Sequence, residues 1–126
     1  MMIEKLVIAS ANKGKLREIQ TLLSPLNIAV FPQSDFNVVE APEPHCTFIE
    51  NALSKARHAS LATRMPALAD DSGLCIAALN GEPGVQSAYF AGKPSNDVNN
   101  NVHLIKTLDG LENRAAYYYC CLVLVR

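Results

Sequence analysis

The chain has 126 residues, 49% of them hydrophobic and 18% charged, with a formal net charge of −1. That length suits one domain rather than two, and the apolar content suffices for a core, which excludes a disordered chain of low hydrophobicity and high charge. A charge this close to zero also excludes a general basic field for nucleic acid or anionic membrane, but not a small anionic ligand met by a few local lysines.

The short apolar run Leu6-Val7-Ile8-Ala9 has the composition of a buried strand. It ends at Ser10-Ala11-Asn12-Lys13-Gly14, after which Leu16, Ile19, Leu22 and Leu23 recur at helical spacing to about Ser24, and Pro25 closes the helix. Ile28 to Phe31 predicts a second strand, stopped by Pro32. Residues 32–46 hold Pro32, Pro42 and Pro44 among acidic side chains and predict a loop. Thr47-Phe48-Ile49-Glu50 is a capping-box pattern, and Phe48, Ala52, Ala56 and Ala59 follow on one helical face, with Pro66 beyond the exit. Leu68-Ala69 leads into Asp70-Asp71-Ser72-Gly73, expected at the end of a buried strand, and Leu74 to Leu79 is a further apolar run before the Asn80-Gly81 turn. Residues 80–97 predict loop, residues 98–108 a third helix stopped near Gly110, and Ala115 to Val125 a long strand. The expected order is β-α-β-α-β-β-α-β: an α/β fold, a mixed sheet flanked by helices.

Three constellations carry candidate chemistry. Ser10-Ala11-Asn12-Lys13-Gly14-Lys15 lies between a strand and a helix, where backbone N–H groups and the helix dipole favour an anion. Ser10 and Asn12 add side-chain donors, Lys15 adds a point charge, and Gly14 permits close backbone approach. The same residues also suit an ordinary capped helix with solvated lysines. The segment is not a Walker A loop, which requires G-x-x-x-x-G-K-[ST]. Asp70 and Asp71 fall where ligands bind in open α/β sheets, and an Asp there works by holding a metal or by having its pKa raised. Asp-Asp-Ser-Gly is equally a good solvated turn. The acidic stretch Glu40-Ala41-Pro42-Glu43 leads to a helix carrying Glu50, Asn51 and Lys55, with Asn51 and Lys55 on one face. Carboxylates with phosphates suit Mg²⁺, although Glu50 suits a capping role with Thr47 and Lys55 suits solvent.

The glycines and Pro83 of residues 81–92 suit a loop with backbone able to approach a ligand. His45, His58 and His103 are scattered and have no triad partner in the pattern. Cys46, Cys75, Cys120 and Cys121 form no C-x-x-C pair and have no histidine at zinc spacing, so reduced structural cysteines are expected. No apolar run reaches the ~18 residues of a membrane span, and the N-terminus lacks signal-peptide features, so the cytoplasm is the expected compartment.

Taken in order, Ser10-x-Asn12-x-x-Lys15, Thr47-Phe48-Ile49-Glu50-Asn51-Ala52 with Lys55-Ala56-Arg57, Ala69-Asp70-Asp71-Ser72-Gly73-Leu74, and Pro83-Gly84-Val85 with Ser87-Ala88 and Ala91-Gly92 resemble the inosine triphosphate pyrophosphatase family. The resemblance runs along essentially the whole chain. It implies Mg²⁺-dependent hydrolysis of non-standard purine nucleoside triphosphates (ITP, dITP, XTP) between the α and β phosphates, giving monophosphate and pyrophosphate. It implies that Ser10, Asn12 and Lys15 hold the triphosphate, with Lys13 and Gly14 of the same turn in the substrate site. Lys55 would contact phosphate, Ser72 the nucleotide, and Glu43 and Asp71 the Mg²⁺, with Asp71 also the catalytic base. It further implies a homodimer. Two departures stand out. Tyr89 and Phe90 replace the family's Arg-Tyr pair, so no cation carries over at Tyr89. The family's Phe-Gly-Tyr-Asp-Pro and Ser-His-Arg segments are not within residues 1–126, so these residues are expected to form a single domain lacking the family's C-terminal segments. The alternative functional expectation is a catalytically impaired nucleotide-binding remnant.

Overall fold

In a computed structural model, which describes residues 2–126, the elements run β1 (Lys5–Ile8), α1 (Lys13–Leu23), β2 (Ala29–Pro32), α2 (Phe48–Thr63), β3 (Ala67–Ile76), α3 (Asp97–Leu108) and β4 (Ala116–Val125). The expected mixed sheet flanked by helices is present, with four strands in the order β2-β1-β3-β4. Its strand count differs from the expectation. Residues 67–79 were expected to hold two strands separated at Asp70-Asp71-Ser72-Gly73; instead β3 runs unbroken from Ala67 to Ile76, so Asp70 and Asp71 sit within a strand. The helix after the first strand ends at Leu23, and Pro25 lies in a short 3₁₀ turn.

The chain divides into two compact units, residues 1–71 with 121–126 and residues 72–120. In the first unit β1 pairs in parallel with β2, from Lys5↔Ala29 to Ile8↔Pro32. It also pairs in parallel with β3, Val7↔Ala67 and Ile8↔Leu68. The connection through α1 leads from β1 to one neighbour, and the connection through α2 passes back across β1 to the other. Right-handed crossovers in opposite directions place α1 and α2 on opposite faces of the sheet. Strand parity agrees. Val7, Ala9, Ala67 and Ala69 form a core with Ala56 and Ala59 of α2, to which Met65, Val123 and Val125 add partly buried surface. Alanines at 52, 56 and 59 are fully buried, and their small size lets α2 lie close to the sheet. Both helices begin as their sequences require: Asn12 Oδ1 accepts from Lys15 N, and Thr47 Oγ1 accepts from Glu50 N.

In the second unit, Gly73 is necessary for packing rather than for a turn. A Cβ there would lie 2.1 Å from the Gly84 carbonyl oxygen and 2.7 Å from Ser87 Oγ. Ser87 Oγ accepts from Leu74 N at 2.8 Å and donates to the Gly84 oxygen at 2.6 Å, fastening the short turn Gly84–Tyr89 against the strand. Asn100 of α3 accepts from Ala91 N and donates to the Ala88 oxygen, both at 2.9 Å, which orders the segment after that turn. The four cysteines are unbridged.

Candidate active site

At the carboxyl end of β1 the chain turns into α1, and its polar groups are arranged largely by one another. Ser10 Oγ accepts from Asn12 N at 3.1 Å, and Asn12 Oδ1 accepts from Lys15 N at 3.0 Å. Ser10 Oγ and Asn12 Oδ1 thus accept hydrogen bonds from the backbone of their own turn, while the Ser10 hydroxyl and the Asn12 amide keep their own donor hydrogens. The turn also meets an anion, because Ala11 N donates to Glu40 Oε1 at 3.2 Å. Gly14 serves the cap: a Cβ there would lie 3.2 Å from Asn12 Oδ1. A pocket of about 520 Å³ opens beside the turn, lined among others by Ser10, Asn12, Lys13, Arg17 and Ser34. Arg17 was not singled out from the sequence. Its i, i+4 relation to Lys13 was the available signal.

The two aspartates project to opposite faces of β3 because neighbouring strand residues alternate. Asp70 points towards the α1 face, where Lys15 Nζ meets its Oδ2 at 2.6 Å. Asp71 shares the parity of Ala67 and Ala69 and points towards α2. Lys15 thus pairs with Asp70 and not with Asp71. Both carboxylates are buried, Asp70 at 5% and Asp71 at 7% exposure.

The acidic loop is fastened along α2 by one polar stripe. Asn51, Lys55 and His58 follow each other at i, i+4 and i+7 beside the alanine stripe. Asn51 Oδ1 accepts from His45 N at 3.0 Å, and its Nδ2 donates to the His45 oxygen at 3.2 Å. Lys55 Nζ meets Glu43 Oε1 at 2.8 Å. His58 Nε2 lies 2.8 Å from the Val39 oxygen. Lys55 is therefore engaged with the loop, where solvent was the plain expectation, and His58, exposed on the helix surface, touches the loop at Val39. Half of the capping box forms: Thr47 Oγ1 accepts from Glu50 N, while the Glu50 carboxylate accepts at 2.6 Å from the Thr47 hydroxyl, where a capping box would use the backbone N–H.

Asp71 is where these groups converge. Asn51 Nδ2 donates to its Oδ2 at 3.3 Å. Burial pushes its carboxyl above the usual range, and the negative charge of Glu43 pushes the same way. Lys55 and the Asn51 hydrogen bond oppose them, and Asp70 adds a smaller upward push. An aspartate so displaced takes up a proton more readily than an ordinary one. Among the described residues no three His, Cys, Asp or Glu side chains gather as a metal cluster. Glu43 and Asp71 offer two carboxylates, a chemistry that suits a hard ion taking its other oxygens from phosphates and water.

The turn after β1 and the two aspartates stand at the same level of the sheet, Asp70 on the face of the turn's Lys15 and Asp71 on the other. Ile8 is level with Leu68, so the segment just beyond β1 lies level with the residues just beyond Leu68. β1 is also the strand where the chain reverses direction across the sheet, the switch point at which open α/β sheets bind ligands. Ser72 follows on β3, half-buried, in the second unit. Tyr89, at the position of the family's arginine, carries Lys93 Nζ 5.0 Å above its ring centre.

Residues 6–126 match the model of the Ham1 family. A dITP/XTP pyrophosphatase of Nitrosomonas europaea is 60% identical over 124 residues, covering 98% of this chain and 61% of that protein. One from Chromobacterium violaceum is 59% identical over 125 residues, covering 99% of this chain and 64% of its own length. A HAM1 protein structure from Coxiella burnetii superimposes with a TM-score of 0.89 at 44% identity, covering 98% of this chain and 64% of that one. The chain therefore spans somewhat over three-fifths of the length of these relatives. A family match over nearly all its residues, with the same fold in a solved relative, settles its membership: this chain belongs to the Ham1 family.

Proposed function

We propose that the protein is a nucleoside-triphosphate pyrophosphatase that hydrolyses non-standard purine nucleotides (ITP, dITP, XTP) to the monophosphate and pyrophosphate. The observation that carries the reading is that β1 and β3 run side by side in register, so that the β1–α1 turn with its Lys15–Asp70 pair and the Asp71 group with Asn51, Lys55 and Glu43 stand at one level of the sheet. The names of the relatives, dITP/XTP pyrophosphatases, supply the substrate class.

In this reading Lys13 and Lys15 meet the phosphates beside the Ser10–Asn12 turn, and Lys55 meets them from α2. Both Lys15 and Lys55 now sit on carboxylates, Asp70 and Glu43, which aim their ammonium groups before substrate arrives. Ser72 contacts the nucleotide. Glu43 and Asp71 would hold Mg²⁺, because the charge of Glu43 works against ionised Asp71 and a divalent cation would relieve that repulsion. A bound Mg²⁺ supplies charge neutralisation for the phosphates and acidifies water. Asp71, with its raised affinity for protons, accepts the proton of the attacking water. That water's oxygen bonds to the α phosphorus, the bond from the α phosphorus to the bridging oxygen breaks, and pyrophosphate leaves with the electron pair. The family resemblance adds a homodimer, and a cytoplasmic setting is consistent with the absence, among the described residues, of any helix long and apolar enough to cross a membrane.

The test is pyrophosphate release by the 126-residue chain with Mg²⁺ and ITP, dITP, XTP, GTP or ATP. Faster turnover of the first three supports the proposal. Equal rates on all five, or triphosphate binding without turnover, overturn it.

A further inference from the structure

We propose that Asn51 is a positioning residue that holds the acidic loop and Asp71 in register, so that Glu43 and Asp71 present a ready-made pair of carboxylates; this rests on the pyrophosphatase reading above. Asn51 is 1% exposed, a buried amide beside the buried Asp71 and next along α2 to the fully buried Ala52. A buried amide is retained there only if its hydrogen-bonding groups are matched. Its orientation follows from its partners. The His45 N–H can only donate, so Oδ1 must face it; the His45 carbonyl and the Asp71 carboxylate accept, so both take Nδ2 protons. Both Nδ2 hydrogens are thereby engaged.

No other residue type reproduces this set at that reach. Aspartate lacks both donors and would add a third negative charge beside Asp71 and Glu43. Leucine and alanine leave the His45 backbone groups and the Asp71 oxygen without this partner, and glutamine is a methylene too long. Glu43 lies two residues before His45 and is held by Lys55, one turn beyond Asn51 on the same helix. The loop is thus fixed at two successive points, and the first of them is also hydrogen-bonded to Asp71. Removing Asn51 would free Glu43 to move relative to Asp71 while leaving both carboxylates in the chain. Groups that orient metal-binding side chains in this way affect metal affinity about 10–100-fold when removed.

The experiment measures Mn²⁺ binding to the nucleotide-free chain by water-proton relaxation, alongside thermal unfolding, for the wild type, Asn51→Ala and Asn51→Ser. The expected result is a Kd for Mn²⁺ raised about tenfold or more in either variant that retains a cooperative melt. A folded variant that binds Mn²⁺ as tightly as the wild type overturns the proposal. A wild type that takes no Mn²⁺ overturns the metal reading instead, so the two failures are distinguishable. Hydrogen exchange on the wild-type chain needs no variant. The His45 amide should exchange measurably more slowly than an unstructured amide, and exchange at the unprotected rate overturns the proposal by itself.

Discussion

Replacing Lys15 by methionine separates its structural role from the phosphate-binding role proposed for the turn. Methionine keeps most of the stem and removes the ammonium group that Asp70 Oδ2 contacts at 2.6 Å. Stripping one partner from a fully buried pair costs about 3–5 kcal/mol. Here the Lys15 side chain is 36% exposed and Asp70 only 6%, so water screens one end of the pair and not the other. The expected loss is therefore nearer that of a charge-assisted hydrogen bond, about 1.5–3 kcal/mol. At about 2.1 cal/mol/K of unfolding entropy per residue, 126 residues convert each kcal/mol into about 4 °C, so Lys15→Met should melt about 6–12 °C below the wild type. Adding Asp70→Asn removes the stranded charge, and the double variant should recover most of that loss. Turnover should not recover with it, because the phosphates would still lack the Lys15 charge. Calorimetric melts and pyrophosphate release on the four members of this cycle measure both effects. A Lys15→Met melt within 1 °C of the wild type, or a double variant no more stable than Lys15→Met, would refute the reasoning.

Asp71→Asn should lower kcat by about 10²–10⁴, the usual contribution of a general base; retained turnover with an unchanged Mg²⁺ requirement would count against Asp71 as the base. The same variant tests the raised pKa. A carboxyl whose folded pKa exceeds its unfolded value of 3.8 favours the folded state fully only below that value, and the advantage is lost as pH rises through the folded pKa. Asp71→Asn should therefore gain in melting temperature over the wild type between pH 4 and 7, with no such trend if the pKa is ordinary. Gly73→Ala should cost about 2–4 kcal/mol, because its methyl would collide with the backbone oxygen of Gly84 and the strand cannot yield without losing the Ser87 hydrogen bonds; urea unfolding measures this. Arg17→Ala should raise the KM for triphosphate with little change in melting temperature, since Arg17 lines the pocket from an exposed helix face. An unchanged KM would remove Arg17 from the binding surface.

Local signals served wherever the partner is close in sequence. Asn12 and Thr47 cap the helices they precede, because a cap needs only a side-chain oxygen and a backbone N–H three residues on. Asp-Asp-Ser-Gly misled because its composition suits a turn. Whether Gly73 ends a strand or admits another segment depends on Gly84 and Ser87, which the local pattern does not contain. Asn51 was noticed only as a neighbour of Lys55 on the helix. Its importance comes from His45 on one side and Asp71, twenty residues away, on the other.

The order of motifs, the α/β class and family kinship were determined by the sequence alone, since each depends on residue types at fixed short spacings. The division of labour between Asp70 and Asp71 was decided by tertiary structure. Adjacent in the chain, they have the same chemistry, and only the pleat of β3, with α1 on one face and α2 on the other, gives Lys15 to one and Asn51 with Glu43 to the other. The same holds for the loop before α2, whose three fastenings along Asn51, Lys55 and His58 exist because a helical stripe repeats at i, i+4 and i+7 while an extended loop runs beside it.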